Sequence, residues 1–370
     1  MRFQVERSEL TDAVAWTARS LPARPPVAVL AGLLLDTTGD GLTLSGFDFE
    51  VAATASVTAT IAESGRAVVS GRLLAEIVRS LPAAPVELHS DGSRIVLSCG
   101  SSRFTLPTMP VDDYPQLPPL PATAGRIPAT DFAQAVAQVV VAAGRDDTLP
   151  VLTGVRVEFD GDKLTLLATD RYRLAMKELA WTPEASDLPA AALVPARNIS
   201  EAARALAGGP EVTLALAGGS AGDSLMGFAG AGRTTTTRLL DGEYPRVRSL
   251  MPASHEAEAT VSTAALTDAV KRVSLVAQRT SPVRLSFSAG ELLLEAGTGE
   301  DAQASEVLEI TYSGEPLTIA FNPQFLLDGL GVLDDSQAML TFTDPKRPAV
   351  MSGAESAGYS YLLMPVRLSS

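Results

Sequence analysis

Two histidines, His89 and His255, and one cysteine, Cys99, are all that this chain of 370 residues offers for imidazole or thiol chemistry. The histidines lie far apart, in a strand end and a polar junction, and read as surface bystanders. With one Cys and two scattered His there is no zinc-ligand spacing, no Cys/His pair and no glycine loop followed by Lys-Ser/Thr. The carboxylate pairs Asp146-Asp147 and Asp334-Asp335 fall in loop-like sequence, where solvated turn residues are commoner than acid/base pairs. The glycine-rich stretch 218–232 reads as a flexible hairpin. Cys99 precludes an internal disulfide, fits a reducing compartment, and reads as a small buried strand residue. No catalytic group, metal or cofactor is expected. The arginines show a regular spacing. Arg72 and Arg79 stand seven apart with Glu76 between them, and Arg197, Glu201 and Arg204 reproduce the pattern. Seven residues is two helical turns, so each arginine pair shares a face. Such faces are either solvated and salt-bridged, worth a few tenths of a kcal/mol per pair, or they are a weakly basic surface for phosphates.

The elements carrying these residues repeat. Leu10-Thr11-Asp12-Ala13-Val14 returns letter for letter as Leu266-Thr267-Asp268-Ala269-Val270, and Phe132-Ala133-Gln134-Ala135-Val136 is a looser copy between them. Each opens a helical pattern of apolar or small residues at i, i+3, i+4 and i+7. Ser8 and Thr130 stand where a side-chain oxygen could cap the first helix of the first two copies. Downstream, Val29–Leu35 matches Val151–Val157, and Gly41–Leu44 matches Lys163–Leu166 and, more weakly, Glu291–Leu294; these short β-rich runs predict strands. A second helix is expected over Gly71–Leu81, Pro195–Leu206 and Asn322–Leu330, where Gln324 and Asp328 break the arginine pattern. More strands follow, at Pro85–Leu88 with Arg94–Ser98 and at Ala338–Phe342 with Tyr359–Leu363. A period far above the roughly 20–50 residues of solenoids means three tandem α+β domains.

Composition sets the remaining limits. Tyr114–Pro121 holds four prolines and reads as a stiff linker, and Met251–Glu258 as a second junction. The expected domains are therefore 1–120, 125–252 and 258–370. A hydrophobic content of 46% can supply each with a core. No segment approaches the roughly 20 apolar residues that cross a bilayer, and the first residues lack a signal-peptide core. Neither a membrane nor export is expected, and the cytoplasm is the expected location. Arginine far outnumbers lysine and alanine is abundant, the mark of a GC-rich genome.

Four motifs in order, set on the threefold repeat, carry a family resemblance across essentially the whole chain. They are Ala168–Ala175 (ATDRYRLA), Asp241–Pro245 (DGEYP), Ala320–Pro323 (AFNP) and Tyr361–Leu368 (YLLMPVRL). In these the chain resembles the bacterial DNA polymerase III β subunit, the sliding clamp. The resemblance implies three DNA-clamp domains, each of two helices backed by two small antiparallel sheets. It also implies a head-to-tail homodimeric ring around duplex DNA, read without regard to sequence. Its implied partners are the replicative polymerase, a clamp-loader ATPase, and other polymerases and repair proteins bearing short linear motifs.

The resemblance also assigns residues. Leu152, Thr169, Leu174, Pro245 and Leu250 would form a deep apolar subsite for partner peptides. Arg173, Asn322 and Phe325 would edge it, Met364 would be shared, and Leu362, Pro365, Val366 and Arg367 would complete it. Arg171 and Tyr172 replace the Gly-His of some clamps, and Phe325 stands where Tyr is common. Arg24, in the Leu21–Pro25 turn, would join Arg72, Arg79, Arg197 and Arg204 in facing DNA. Phe104 and Leu106 of an edge-like strand would meet Leu275 and Val276 of a second copy, although either could instead face its own core. The net charge of −14 opposes phosphate binding overall. A weakly basic hole inside an acidic rim would reconcile the two and permit sliding. A repeat scaffold unrelated to DNA, and a second inhibitor-resistant clamp copy, remain the other readings.

Overall fold

In this computed structural model, which describes residues 1–185, 188–217, 224–277, 281–297, 302–354 and 358–367, six α-helices punctuate an all-antiparallel set of strands. The helices are α1 (Arg7–Thr17), α2 (Gly71–Ser80), α3 (Ala129–Val140), α4 (Ala196–Leu206), α5 (Thr263–Val273) and α6 (Pro323–Leu330). They fall in pairs, one pair per expected repeat. Ser8 and Thr130 do not cap. Helix α1 starts at Arg7 and α3 at Ala129, so both residues sit inside the first turn, and the Thr130 hydroxyl turns to Asp131 (3.3 Å). The preceding strands, Arg2–Val5 and Thr123–Pro128, run almost directly into these helices. Each helix therefore starts where strand pairing ends, ahead of its first apolar residue. At α5 the cap is real, with Ser262 Oγ accepting from the Ala265 N–H at 3.3 Å. The runs at Val29 and Val151 also start differently from expectation. Each opens in a 3₁₀ turn, Ala28–Ala31 or Pro150–Thr153, and becomes strand only at Gly32 or Gly154.

The residues group into two compact units. The first holds Met1–Phe132, Thr182–Leu188 and Glu201–Leu239. Its fourteen-stranded sheet continues past the first repeat, because strand Val51–Val57 pairs with Arg233–Arg238 of the second. Helix α2 buries Gly71, Leu74, Ile77 and Val78 and leaves Arg72, Glu76 and Arg79 in solvent. Each large apolar side chain so buried stabilises by about 1.5–3 kcal/mol. Gly71 is required by contact, since a Cβ there would lie 2.3 Å from Leu21 Cδ1. Helices α1 and α2 are tied by Thr11 Oγ1 donating to the Val78 carbonyl (3.2 Å). Cys99 is buried, its thiol aimed at the carbonyls of Pro82 and Ala84. The linker after the first repeat is anchored at its start: Tyr114 is buried and donates to the Ser45 carbonyl at 3.2 Å, and burial raises its pKa. Of the glycine-rich stretch, 218–223 lies outside the described residues; the remainder forms the hairpin Leu225–Gly230 with Arg233–Arg238, turning on Ala231 and Gly232, both at positive φ.

The second unit holds Ala133–Trp181, Pro189–Ser200 and Leu240–Ser370. Its nine-stranded sheet is also continuous across repeats, with strand Arg173–Ala180 pairing on one side with Lys163–Thr169 and on the other with Tyr359–Leu363. A four-stranded sheet, running Ala304–Glu309, Glu291–Ala296, Val283–Ser288 and Leu317–Phe321, completes the third repeat. Helix α6 lies tight on this framework at Gly329, where a Cβ would meet Tyr361 Cε1 and Met351 Cε at 2.5 Å. Strand pairing thus brings the second repeat's Arg173 beside the chain's last strand.

Candidate functional site

Register assembles the site. Across the central strand of the second unit, Thr169 opposes Leu174 and Leu174 opposes Leu362. Leu174, Leu362, Leu167, Tyr244 and Val247 form one apolar cluster. The turn Ala168–Arg173 and the segment Pro245–Leu250 rise beside it and leave a cavity of about 410 Å³. Leu152, Thr169, Arg171, Arg173, Leu174, Pro245, Leu250, Leu362 and Met364 line it, as expected from the sequence, together with Leu149, Val151 and Val247, which were missed. These three flank expected residues within the runs Leu149–Leu152 and Pro245–Leu250, so short-range apolar continuity was the available signal. Leu250 and Met364 are half-exposed at the mouth, whereas Leu152, Thr169 and Leu174 are buried at the base.

Asp170 shapes the turn. Its Oδ1 accepts from the N–H groups of Tyr172 (3.0 Å) and Arg173 (3.1 Å), and Thr169 Oγ1 donates to the Arg173 carbonyl (2.6 Å). Arg171, at the apex, has φ 80°, a left-handed conformation that costs a Cβ-bearing residue about 1 kcal/mol or more. Arg173 is only 5% exposed and is held on three sides. Its Nε donates to Asp170 Oδ2 (2.9 Å), and its Nη1 to Asp328 Oδ2 (2.6 Å) and to the Tyr361 hydroxyl (3.2 Å). Tyr361 in turn donates to the Phe325 carbonyl (2.9 Å). Burial alone would lower the Arg173 pKa, but Tyr361, Asp328 and Asp170 outweigh it and raise the value. Tyr361 is likewise raised, first by its own burial.

Six of the expected pocket residues do not line the cavity. Tyr172 and Phe325 stack beside it at 6.2 Å, and the Arg173 guanidinium lies 4.4 Å from the Phe325 ring. Asn322 caps α6, its Oδ1 accepting from Gln324 N (2.9 Å) and Phe325 N (3.4 Å). Pro365, Val366 and Arg367 belong to a tail pinned at two points, Met364 N–H to the Tyr172 carbonyl (2.9 Å) and Val366 N–H to the Ala320 carbonyl (2.8 Å). Leu368 lies outside the described residues.

The arginines expected to face DNA are all exposed. Arg72 Nη2 donates to the Pro22 carbonyl (3.3 Å), which ties α2 to the turn that bears Arg24. Arg79 offers its carbonyl to Arg7 (3.1 Å). Of the expected dimer residues, Leu275 is 84% exposed and Val276 partly exposed. Of the two placements left open for the edge-like strand, Leu106 takes its own core, 1% exposed, and Phe104 packs partly against the same core. Strand Ser102–Met109 pairs on one side along most of its length, so what it presents outward is a backbone edge. Among the described residues no group of three or more His, Cys, Asp or Glu could hold a metal ion, and no helix is long and apolar enough to cross a membrane.

Three helix–strand repeats, each with a pair of helices on antiparallel strands, define a protein of the DNA-clamp class. Family models for the N-terminal, central and C-terminal domains of the DNA polymerase III beta subunit match residues 1–118, 126–246 and 248–367. The chain is 54% identical to the beta sliding clamp of Streptomyces coelicolor over the full length of both. It is 44% identical to the beta sliding clamp homolog GriR of Streptomyces muensis, with 99% of each chain covered. Among solved structures it matches a Pseudomonas aeruginosa sliding clamp bound to griselimycin (TM-score 0.92, 29% identity, all of both chains) and the Bacillus subtilis clamp (TM-score 0.90, 26% identity, all of both chains). The chain belongs to the DNA polymerase III β-subunit family, the β sliding clamps.

Proposed function

We propose that the pocket between Leu152 and Met364 is where this clamp holds its partners' short apolar motifs, while the ring that two copies form encircles duplex DNA. The chain is a non-catalytic processivity subunit. It lowers no chemical barrier; it keeps a polymerase on its template by topology. Domains 1–120, 125–252 and 258–370 are its three clamp domains, and two chains close head to tail. Arg24, Arg72, Arg79, Arg197 and Arg204 meet phosphates without reading bases, and the overall negative charge keeps those contacts loose enough for sliding. The clamp-loader ATPase, the replicative polymerase and repair proteins take turns in one pocket, in the cytoplasm. The carrying observation is a family match along the whole chain that coincides with an apolar cavity walled by the expected motif residues.

Loading onto nicked circular DNA, followed by gel filtration, tests this reading. The clamp should co-elute with circles and fall off once they are linearised. Equal retention on both forms would mean surface binding and overturn the ring. Alanine at Arg24, Arg72 and Arg79 should weaken loading while leaving the dimer intact.

A further inference from the structure

Two charged side chains line a mostly apolar cavity, and they are not equivalent. Arg173 is spoken for by Asp170 and Asp328. Arg171 has no ion pair among the described residues. Its guanidinium lies 5.7 Å from the exposed Tyr172 ring, and Asp146, a carboxylate that feels its charge, accepts at Oδ1 from the Thr148 hydroxyl (2.6 Å) and N–H (3.0 Å). Those hydrogen bonds come first in holding the Asp146 pKa below the ordinary range; Arg171 adds to them at longer reach.

The backbone gives a second, independent observation. The first repeat contains the same turn: Asp48 Oδ1 accepts from Glu50 N (2.9 Å) and Val51 N (2.6 Å), and Phe49, at the position of Arg171, has φ 74°. The turn itself therefore imposes the left-handed conformation. Glycine would occupy it without strain and the first repeat fills it with phenylalanine, so the turn does not dictate a cation at Arg171; the cavity that Arg171 lines is what sets the two positions apart.

We propose that Arg171 determines specificity in this pocket: it selects partner segments that carry a carboxylate next to their apolar anchors. This rests on the peptide-pocket reading above. Charge complementarity supports it. On a chain of net charge −14, an acidic segment is repelled at long range, and a local cation at the rim of a low-dielectric cleft decides which apolar motifs stay.

The test uses the intact dimer and three fluorescent heptapeptides that share their apolar anchors and carry Asp, Asn or Lys between them. Wild-type protein should bind the Asp peptide roughly three- to tenfold more tightly than the Asn peptide at low salt, and the Lys peptide least. The preference should shrink at about 0.5 M salt, vanish in Arg171→Ala and Arg171→Gly, and return in Arg171→Lys. Equal affinity of wild type for all three peptides, or a preference that survives Arg171→Ala, would overturn the proposal while leaving the pocket standing. Binding of none of the three would overturn the pocket reading itself and this inference with it.

Discussion

Arg173 carries a positive charge into a nearly dry site, and two carboxylates and a phenol keep it there. Breaking a buried ion pair by deleting one partner typically costs about 3–5 kcal/mol. Asp328 is 22% exposed on its side chain and Asp170 would remain, so Asp328→Ala should cost less, about 1–3 kcal/mol, read from the denaturant midpoint. It should also weaken peptide binding, because the Phe325 ring packs against the same guanidinium. An unchanged midpoint and affinity would mean the network is ornamental. A second carboxylate predicts pH behaviour. Burial would raise the pKa of Glu158, but hydrogen bonds from Arg156 (2.7 Å) and Arg248 (2.7 Å) outweigh it and lower the value. A depressed carboxylate contributes its stability in full above its unfolded value, about 4.3, and loses it as pH falls through the folded one. Glu158→Gln should therefore lose less stability than wild type between pH 6 and about 3; equal losses would assign acid sensitivity elsewhere. Motif spelling made Thr169, Leu174 and Met364 legible before the fold. The Arg173–Asp328 pair was not, because periodicity speaks only about neighbours, and these residues are 155 apart in sequence. The placement of Leu106 stayed open for the same reason: alternation says which residues share a face, not which face is already covered.

Two turns of the same design sit in the two units, and among the described residues it is the second unit's turn that fronts the apolar cavity of about 410 Å³. In the second unit the residue before the shaping aspartate is Thr169; in the first it is Phe47. Phe47 is 6% exposed and packs with Leu30, Ala52 and Tyr114, whereas Thr169 lines the open cavity beside Leu152 and Leu174. Beside the first unit's turn lies a cleft of about 310 Å³ whose lining includes Glu50, Gln116 and Arg238. An apolar motif should therefore find one site per chain. Calorimetric titration of a polymerase-tail peptide should give a stoichiometry of one, and a second site of comparable affinity would show that Phe47 does not fill the equivalent space. The elements themselves were largely legible, since three copies of each helix and strand pattern reinforce one another where a single copy would be ambiguous. Strand neighbours were not. Pairing of Val51–Val57 with Arg233–Arg238, and of Arg173–Ala180 with Tyr359–Leu363, is set by how repeats meet rather than by local residue pattern.

At the scale of the whole molecule, function requires closure, and closure needs a surface that a lone chain leaves uncovered. Leu275 is such a surface: it protrudes, 84% exposed, from the 3₁₀ turn Ser274–Val276 that follows α5. A single exposed leucine is ordinary, but the chain also carries a strand, Ser102–Met109, with one backbone edge largely unpaired. A second copy that brings its third repeat to this edge would cover both. Because Leu275 contributes almost nothing to its own core, Leu275→Asp should leave the unfolding free energy of the isolated chain within about 0.5 kcal/mol of wild type. The same change would force a carboxylate into an apolar contact, a desolvation cost that a modest interface does not survive. Sedimentation should then show a folded monomer at micromolar concentration, and that monomer should fail to stay on circular DNA. Leu106→Arg makes the contrast. Its site is internal, so it should lower stability by several kcal/mol in addition to any effect on association. A Leu275→Asp protein that stays dimeric would place the joint elsewhere. One that becomes monomeric yet still remains on circles and leaves when they are linearised would separate topological retention from dimerisation, and with it the head-to-tail ring would have to be abandoned.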